Sequence, residues 1–109
     1  MVATALALAA SACDRAEVSR ELGARCDHSD ECDDRCLAPA DYPGGFCTVS
    51  CDSDADCPGD ARCADDEGGV CLFTCRPDVA GACDFLGAEW ECTARDGKPD
   101  GEVDVCVGA

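Results

Sequence analysis

The chain divides at Cys13 into an uncharged apolar stretch and a polar remainder. Residues 1–12 are apolar or small and carry no charge, and all 24 acidic and all 8 basic residues lie from Asp14 onward. A helix must contain about 20 residues to cross the roughly 30 Å of hydrocarbon in a bilayer, so this stretch is too short to span it. The pattern therefore indicates a signal segment over residues 1–12.

After Cys13 the apolar positions follow the cysteines rather than a helical period. Residues 13–25 alternate acids and bases, which predicts a short helical tether. The remaining cysteines fall into three groups of four, with three residues between one group and the next. This spacing predicts three cysteine modules, over residues 26–50, 51–74 and 75–109.

The first two modules repeat each other. Each begins with a five-residue gap that ends in an acid before the second cysteine, as Glu31-Cys32 and Asp56-Cys57. Segment 44–51 reads Gly-Gly-Phe-Cys-Thr-Val-Ser-Cys, and segment 68–75 reads Gly-Gly-Val-Cys-Leu-Phe-Thr-Cys. Paired glycines supply the positive φ angles of a tight turn, and the run after them predicts a short strand. Each of these modules is thus predicted to be a β-hairpin.

The third module has longer gaps between its cysteines. Residues 103–107 alternate apolar and polar side chains up to Cys106, which predicts a strand. The segment from Thr93 to Glu102 contains Asp-Gly and Pro-Asp-Gly turn signals and is predicted to be a long loop.

Apolar side chains are too few for a conventional core. From Cys13 onward the chain has no isoleucine and only four leucines. Disulfides must replace part of the missing burial, at about 2 to 4 kcal/mol each without strict additivity. We therefore predict a small disulfide-rich fold of tandem short β-hairpins with little regular secondary structure, and we expect reduction to unfold it.

The most apolar cluster of the modules is residues 84–91, which contain Phe85 and Trp90. We interpret these two aromatic residues as a small core that covers the bridges. If they are exposed instead, they are the best candidates for contact with a partner, because aromatic residues dominate binding energy.

Thirteen cysteines is an odd number, and Cys13 stands outside the three groups. The segment Ala10-Ser11-Ala12-Cys13 resembles a bacterial lipobox, and the resemblance implies diacylglycerol on Cys13. Cleavage by ordinary signal peptidase would instead leave a free thiol there. We favour lipidation because an exposed thiol invites disulfide scrambling. The basic region expected before the apolar run is missing, so we expect a start codon further upstream or a truncated chain.

Segment 51–63 is similar to short cysteine-rich modules such as the dickkopf N-terminal and whey acidic protein domains, through Cys-x5-Cys-Pro with acids before the second cysteine. Small growth-factor-like modules pair their cysteines first to third and second to fourth. That order implies the bridges Cys26–Cys36, Cys32–Cys47, Cys51–Cys63, Cys57–Cys71, Cys75–Cys92 and Cys83–Cys106. Pairs that cross between modules are the open alternative.

The net charge and the composition limit the classes of partner and of source. A net charge of −16 at pH 7 excludes nucleic acid, which is bound through clustered basic groups. The absence of isoleucine, asparagine and glutamine, with Lys98 as the single lysine, is typical of GC-rich codon usage and favours a bacterial source.

Metal chemistry has weak support. The chain has no Cys-x2-Cys, which argues against zinc knuckles and thioredoxin-like redox centres. Asp52, Asp54 and Asp56 have the alternating spacing that begins an EF-hand loop. However, cysteines replace the required glycine and glutamate further along. Residues 65–67 could complete a looser calcium site. We therefore expect no cofactor and at most weak calcium binding.

Catalysis also has little support, since His28 is the single histidine and lies in a polar turn without a nucleophile beside it. We predict an exported, extracytoplasmic lipoprotein, anchored to a membrane through lipid on Cys13, that acts as a non-catalytic binding or structural module. One alternative is a secreted protease inhibitor with Leu37 to Phe46 as its contact loop, and the other is a weak calcium-binding module. The protein partner and the choice between inner and outer membrane stay open.

Overall fold

The computed structural model describes residues 18–109, which form three antiparallel β-hairpins in chain order. The strands are β1 (Arg35–Leu37), β2 (Phe46–Thr48), β3 (Arg62–Ala64), β4 (Val70–Leu72), β5 (Trp90–Asp96) and β6 (Glu102–Gly108). Within residues 18–109 the only helical elements are single 3₁₀ turns at Ser29–Glu31, Asp54–Asp56 and Asp84–Leu86. The predicted small disulfide-rich fold is confirmed. The signal segment 1–12, Cys13 and tether residues 14–17 lie outside the described residues.

The last two cysteines of every module lie opposite each other in its hairpin. The opposed pairs are Cys36 and Cys47, Cys63 and Cys71, and Cys92 and Cys106. Directly opposed residues point to the same face of a sheet. Each hairpin therefore presents two neighbouring sulfurs on one side, and both are available to the loop that precedes the hairpin.

The two cysteines of that preceding loop complete the bridges. The structure contains Cys26–Cys36, Cys32–Cys47, Cys51–Cys63, Cys57–Cys71, Cys75–Cys92 and Cys83–Cys106. These are the pairs that the first-to-third, second-to-fourth order gives. Every bridge closes within one module, so the modules must be held together by other contacts.

Backbone hydrogen bonds join each module to the residues before it. In every case the carbonyl two residues ahead of the first cysteine accepts the N–H of the last cysteine. The bonds are Ala24 with Cys47 at 2.9 Å, Val49 with Cys71 at 3.1 Å, and Phe73 with Cys106 at 2.9 Å. The segment that enters each module therefore forms an additional edge on its hairpin.

The three hairpins share one apolar core. Phe46 contributes from the first module and contacts Phe73 and Trp90 at ring-centroid distances of 6.0 and 5.3 Å. Buried Thr48 donates from Oγ1 to the Cys71 carbonyl at 2.6 Å, which satisfies a polar group inside this core. Although the cysteine spacing suggested stapled hairpins in series, the modules pack together into a single core.

The tether prediction is wrong for the described residues 18–25. Ser19 and Gly23 form a β-bridge that closes a turn, where we expected a helix. Leu22 lies within that turn and is only 1 % exposed, packed into the common core. Burial of this side chain and the hydrogen bond from Gly23 to Cys47 at 2.7 Å outweigh the helical preference of the flanking charges.

The loop predicted from Thr93 to Glu102 is also mostly wrong. Strand β5 continues to Asp96 and pairs in register with β6, so only residues 97–101 form the turn. The Asp-Gly and Pro-Asp-Gly signals both lie at this tight turn. The predicted loop was too long, because pairing with β6 makes residues 93–96 a strand although their own strand pattern is weak.

Candidate functional site

Every described cysteine is committed to a disulfide. All twelve cysteines from Cys26 to Cys106 are bridged. Each module brings three of its sulfur atoms within 4.8 Å of one another, which is a spacing typical of metal ligands. These sulfurs belong to bridges and carry no thiolate charge, so the clusters are structural. Cys13, the candidate lipidation site, lies outside the described residues.

Carboxylates hold the first loop of module two. Asp54 Oδ1 accepts the backbone N–H of Cys63 at 2.8 Å, and Asp56 Oδ2 accepts that of Asp52 at 2.9 Å. Asp54 also pairs through Oδ2 with Arg62 Nε at 2.5 Å. The Cys63 hydrogen bond holds the pKa of Asp54 below its usual range, and the Arg62 guanidinium adds to this effect. These acids therefore fix the loop against strand β3.

Module one uses the same design. Ser29 Oγ accepts the N–H of Cys36 at 3.2 Å, where module two uses a carboxylate. Glu31 Oε1 accepts the N–H of Asp27 at 2.6 Å and the next N–H at 3.1 Å, and these bonds lower the pKa of Glu31. The acid before the second cysteine thus closes the loop on its own backbone. This role explains why Glu31 and Asp56 recur in the sequence.

The calcium candidates of the second module face donors of the protein itself. Asp52 Oδ1 lies 3.4 Å from Lys98 Nζ, while Asp54 and Asp56 accept the backbone N–H groups described above. Residues 65–67 lie in a separate depression. A calcium ion would have to displace an ammonium group and backbone donors, and weak calcium binding stays a prediction.

The single histidine lies in an exposed turn, as the sequence analysis expected. His28 precedes the 3₁₀ turn Ser29–Glu31, and its backbone N–H donates to Glu31. The neighbouring Ser29 hydroxyl accepts the Cys36 N–H. The residues around the imidazole therefore hold the loop.

Trp90 and Phe85 lie in different environments. Trp90 is 6 % exposed and packs beside Phe46, so it belongs to the core. Phe85 is 50 % exposed and meets only one ring, with its edge against Phe73 at a centroid distance of 5.2 Å. The partner-contact hypothesis required exposure, and of the two residues only Phe85 meets that condition.

Phe85 borders a groove of about 570 Å³ between the N-terminal segment and module three. Val18, 51 % exposed, and the Arg25 guanidinium line the groove from the N-terminal side. Leu86 and Trp90 contribute buried side chains to its lining. Val18 and Arg25 were not predicted to line a site, because residues 13–25 were expected to form a tether.

One available signal could have placed the N-terminal segment. Three residues separate Leu22 from Cys26, and the same gap separates Cys47 from Cys51. Leu22 therefore stands where the last cysteine of a preceding module would stand. Its burial shows that the entry segment of module one follows the same plan as the later ones.

The loop proposed for protease inhibition is folded back on itself. Tyr42 donates its N–H to the Ala38 carbonyl at 3.2 Å, and Gly45 donates to the Tyr42 carbonyl at 2.7 Å. Leu37 and Phe46 are both buried, and residues 38–41 are exposed. Proteins that dock by strand addition present an extended backbone, whereas this loop uses its own backbone groups in turns.

A second depression, of about 360 Å³, is rich in acids around Tyr42 and Arg95. The Tyr42 hydroxyl and the Arg95 guanidinium each lie 3.5 Å from Asp66 Oδ2. Burial, and to a lesser extent the Asp66 charge, raise the pKa of Tyr42 to about 12, so the phenol is neutral at physiological pH. Asp66 and Arg95 thus form an ion pair within this depression, which Asp41, Asp65 and Glu67 also line.

Within residues 18–109 no helix has both the length and the apolar character needed to cross a bilayer. Comparisons with protein-family models, curated proteins and solved structures find no match to this chain.

Proposed function

We propose that this chain is an exported lipoprotein whose acidic, disulfide-braced module binds a partner or has a structural role at a membrane surface, without catalysis. The proposal depends on the number of cysteines and on how many of them are bridged. The chain has thirteen cysteines, and the twelve from Cys26 onward are all bridged to one another. Among the cysteines of this sequence none is left to pair with Cys13, as expected of a cysteine that carries lipid.

The disulfides support the extracytoplasmic part of the proposal. Structural bridges persist in oxidising compartments and are rare in the reducing cytosol. Six of them in 109 residues would leave the reduced chain with little to hold it together. The six disulfides therefore support folding in an oxidising compartment, and export to one agrees with the apolar stretch that precedes Cys13.

The surroundings of the single histidine support the non-catalytic part. General base catalysis of acyl transfer requires a histidine aligned with a nucleophile. His28 is exposed in a turn, and the oxygens of Ser29 and Glu31 beside it accept backbone N–H groups. These residues serve the fold of the loop.

Intact mass spectrometry tests the proposal. The protein, produced in a bacterial host that exports lipoproteins, should carry diacylglycerol on Cys13 and lack the twelve hydrogens lost in forming six bridges. Cys13→Ser is the matched control, because it should keep the six bridges and lose both the lipid mass and the membrane fraction. A wild-type protein with an unmodified Cys13 thiol, or with reduced cysteines, would overturn the proposal.

A further inference from the structure

Val18 is held close to Cys13 by the length of chain between them. Five residue steps span at most about 18 Å when fully extended, at 3.3 to 3.6 Å per residue. A folded domain of about 100 residues has a radius of gyration of about 13 Å, so its diameter exceeds this reach. A lipid on Cys13 therefore keeps the Val18 side of the domain next to the bilayer.

The exposed apolar side chains are concentrated on that side. Three large hydrophobic residues of the described chain are exposed, namely Phe85 at 50 %, Val18 at 51 % and Val79 at 47 %. Phe85 and Val18 line the same groove, and Val79 does not. Aromatic rings and aliphatic side chains partition favourably into the interfacial region of a bilayer.

The groove is electrically neutral on a strongly acidic chain. Its lining residues carry one positive and one negative charge, Arg25 and Asp84, whereas the whole chain has a net charge of −16. Arg25 forms no ion pair with any residue in the described range 18–109. An unpaired guanidinium can bind a phosphate through two parallel hydrogen bonds. This combination fits a zwitterionic lipid, whose phosphate would lie beside Arg25.

We propose that this groove docks on the zwitterionic lipid interface of the membrane that anchors Cys13, with Val18 and Phe85 inserted and Arg25 at the phosphate. The inference rests on the proposed function, because the lipid on Cys13 brings the groove to the bilayer. It adds an orientation: the side of the domain that contains Val18 and Phe85 faces the lipid. The two acyl chains on Cys13 then provide the stable attachment, and the groove adds a second contact on the same surface.

Trp90 provides the measurement, since it is the single tryptophan and lines the groove. The lipidated protein is placed in phosphatidylcholine vesicles with plain or brominated acyl chains. Bromine should quench the Trp90 fluorescence about twofold, because docking would bring the acyl chains next to the groove that the indole lines. Vesicles of phosphatidylglycerol should give less quenching, because the acidic modules are repelled by an anionic surface.

Paired variants separate docking from simple anchoring. The double substitution Val18→Asp with Phe85→Asp should remove the bromine quenching while flotation with the vesicles and lipid mass on Cys13 are kept. Val79→Asp is the matched control, since it places the same charge at an equally exposed valine outside the groove. Arg25→Glu gives a second variant in which no apolar contact is removed, and it should lower the quenching in part.

A chemically anchored sample separates this inference from the proposed function. Unlipidated protein can be coupled through Cys13 to vesicles that contain maleimide-bearing phosphatidylethanolamine. Loss of the natural lipid would refute the proposed function, and quenching in the coupled sample still reports on the groove. The docking proposal is overturned if quenching is the same in wild type and double variant, or if the double variant instead abolishes a dimer seen by sedimentation.

Discussion

All three modules have the same disulfide order. Modules one and two differ from module three in the length of their strands and in the hydrogen bonds of the first loop. Their strands are three residues long, whereas β5 and β6 are seven residues long and pair along their whole length. In the short hairpins, side-chain oxygens of the first loop accept the N–H of the third cysteine, Cys36 or Cys63. In module three, Cys92 lies instead within the seven-residue strand β5, opposite Cys106.

Two features stay constant across all three modules. One is the pairing of the third and fourth cysteines with the two cysteines of the preceding loop. The other is the hydrogen bond from the last cysteine to the carbonyl two residues ahead of the module. The difference teaches that the bridges and the entry segment define the module, whereas the length of the strands and the side-chain hydrogen bonds of the first loop vary between modules.

Removal of a disulfide should lower the free energy of unfolding more than any other change. The loss should be larger in module three than in module one. The Cys83–Cys106 bridge closes a sequence separation of 23 residues, against 10 for Cys26–Cys36. Chain entropy then predicts a loss of about 3 to 4 kcal/mol for the double alanine variant of the first pair and about 2 to 3 for the second. Urea unfolding measures the losses of both variants. Equal or reversed losses would contradict the entropic argument.

Complete reduction of the disulfides should unfold all three modules.

The glycine turn of the short hairpins should show the next largest effect. Gly45 has φ 79°, and a Cβ there would overlap the Cys26 carbonyl oxygen. We expect Gly45→Ala to cost about 3 kcal/mol from the clash and the left-handed backbone together.

Gly68→Ala is the control for that substitution. Gly68 has φ 86° but nothing lies within 4 Å of its added Cβ, so only the backbone term of about 1 kcal/mol is expected. Thermal unfolding of the two variants compares clash plus backbone with backbone alone. Equal destabilisation would show that the close approach to Cys26 contributes nothing.

The entry segment of module one provides a third test. Leu22→Ala should lower the free energy of unfolding by about 2 to 3 kcal/mol, because the side chain is buried in the common core. Val79→Ala, at an exposed site of module three, should change it by less than about 0.5 kcal/mol. Both are measured by urea unfolding. A negligible effect of Leu22→Ala would restore the tether interpretation of residues 18–25.

The smallest effect should be a loss of stability in acid, caused by carboxylates of modules one and two. Backbone hydrogen bonds keep the folded pKa values of Asp54 and Glu31 below their ordinary values of 3.8 and 4.5. The stability they contribute is present above those ordinary values and is lost as the pH falls through the lower folded ones. The melting temperature should therefore decline below about pH 4.5.

The double variant Asp54→Asn with Glu31→Gln is the control for the acid effect. It should melt lower at neutral pH and show a shallower decline in acid, as followed by circular dichroism. Asp78 is exposed in module three and pairs only with Arg76, so Asp78→Asn should leave the pH profile unchanged. An identical profile in the wild type and the double variant would show that other carboxylates control acid unfolding.

Local features of the fold could be predicted because they depend on adjacent residues. Gly44-Gly45 and Gly68-Gly69 predicted two turns, and the four glycines have positive φ angles between 79° and 110°. The alternation before Cys106 predicted a strand, and β6 forms there. The bridges of the structure also match the implied pairs, because opposed cysteines in a hairpin leave the preceding loop as the nearest source of partners.

The candidate groove could not be predicted in the same way. The sequence placed Phe85 and Trp90 in one apolar cluster, yet Trp90 is buried and Phe85 is exposed. Their difference depends on Phe46 of module one, which lies beside the Trp90 ring. Val18 and Arg25 join the groove only because Leu22 draws the N-terminal segment onto the core. No period or spacing within either segment encodes those contacts.

The sequence by itself determined the odd number of cysteines, the grouping of twelve of them, the glycine turns and the hairpins of modules one and two. These follow from covalent spacing and from backbone angles that a few neighbouring residues control. The tertiary structure decided that the modules share one core, that residues 18–25 belong to it, and which aromatic ring remains exposed. Those outcomes depend on hydrogen bonds and apolar contacts between segments distant in sequence, and their balance exists only once the three modules pack together.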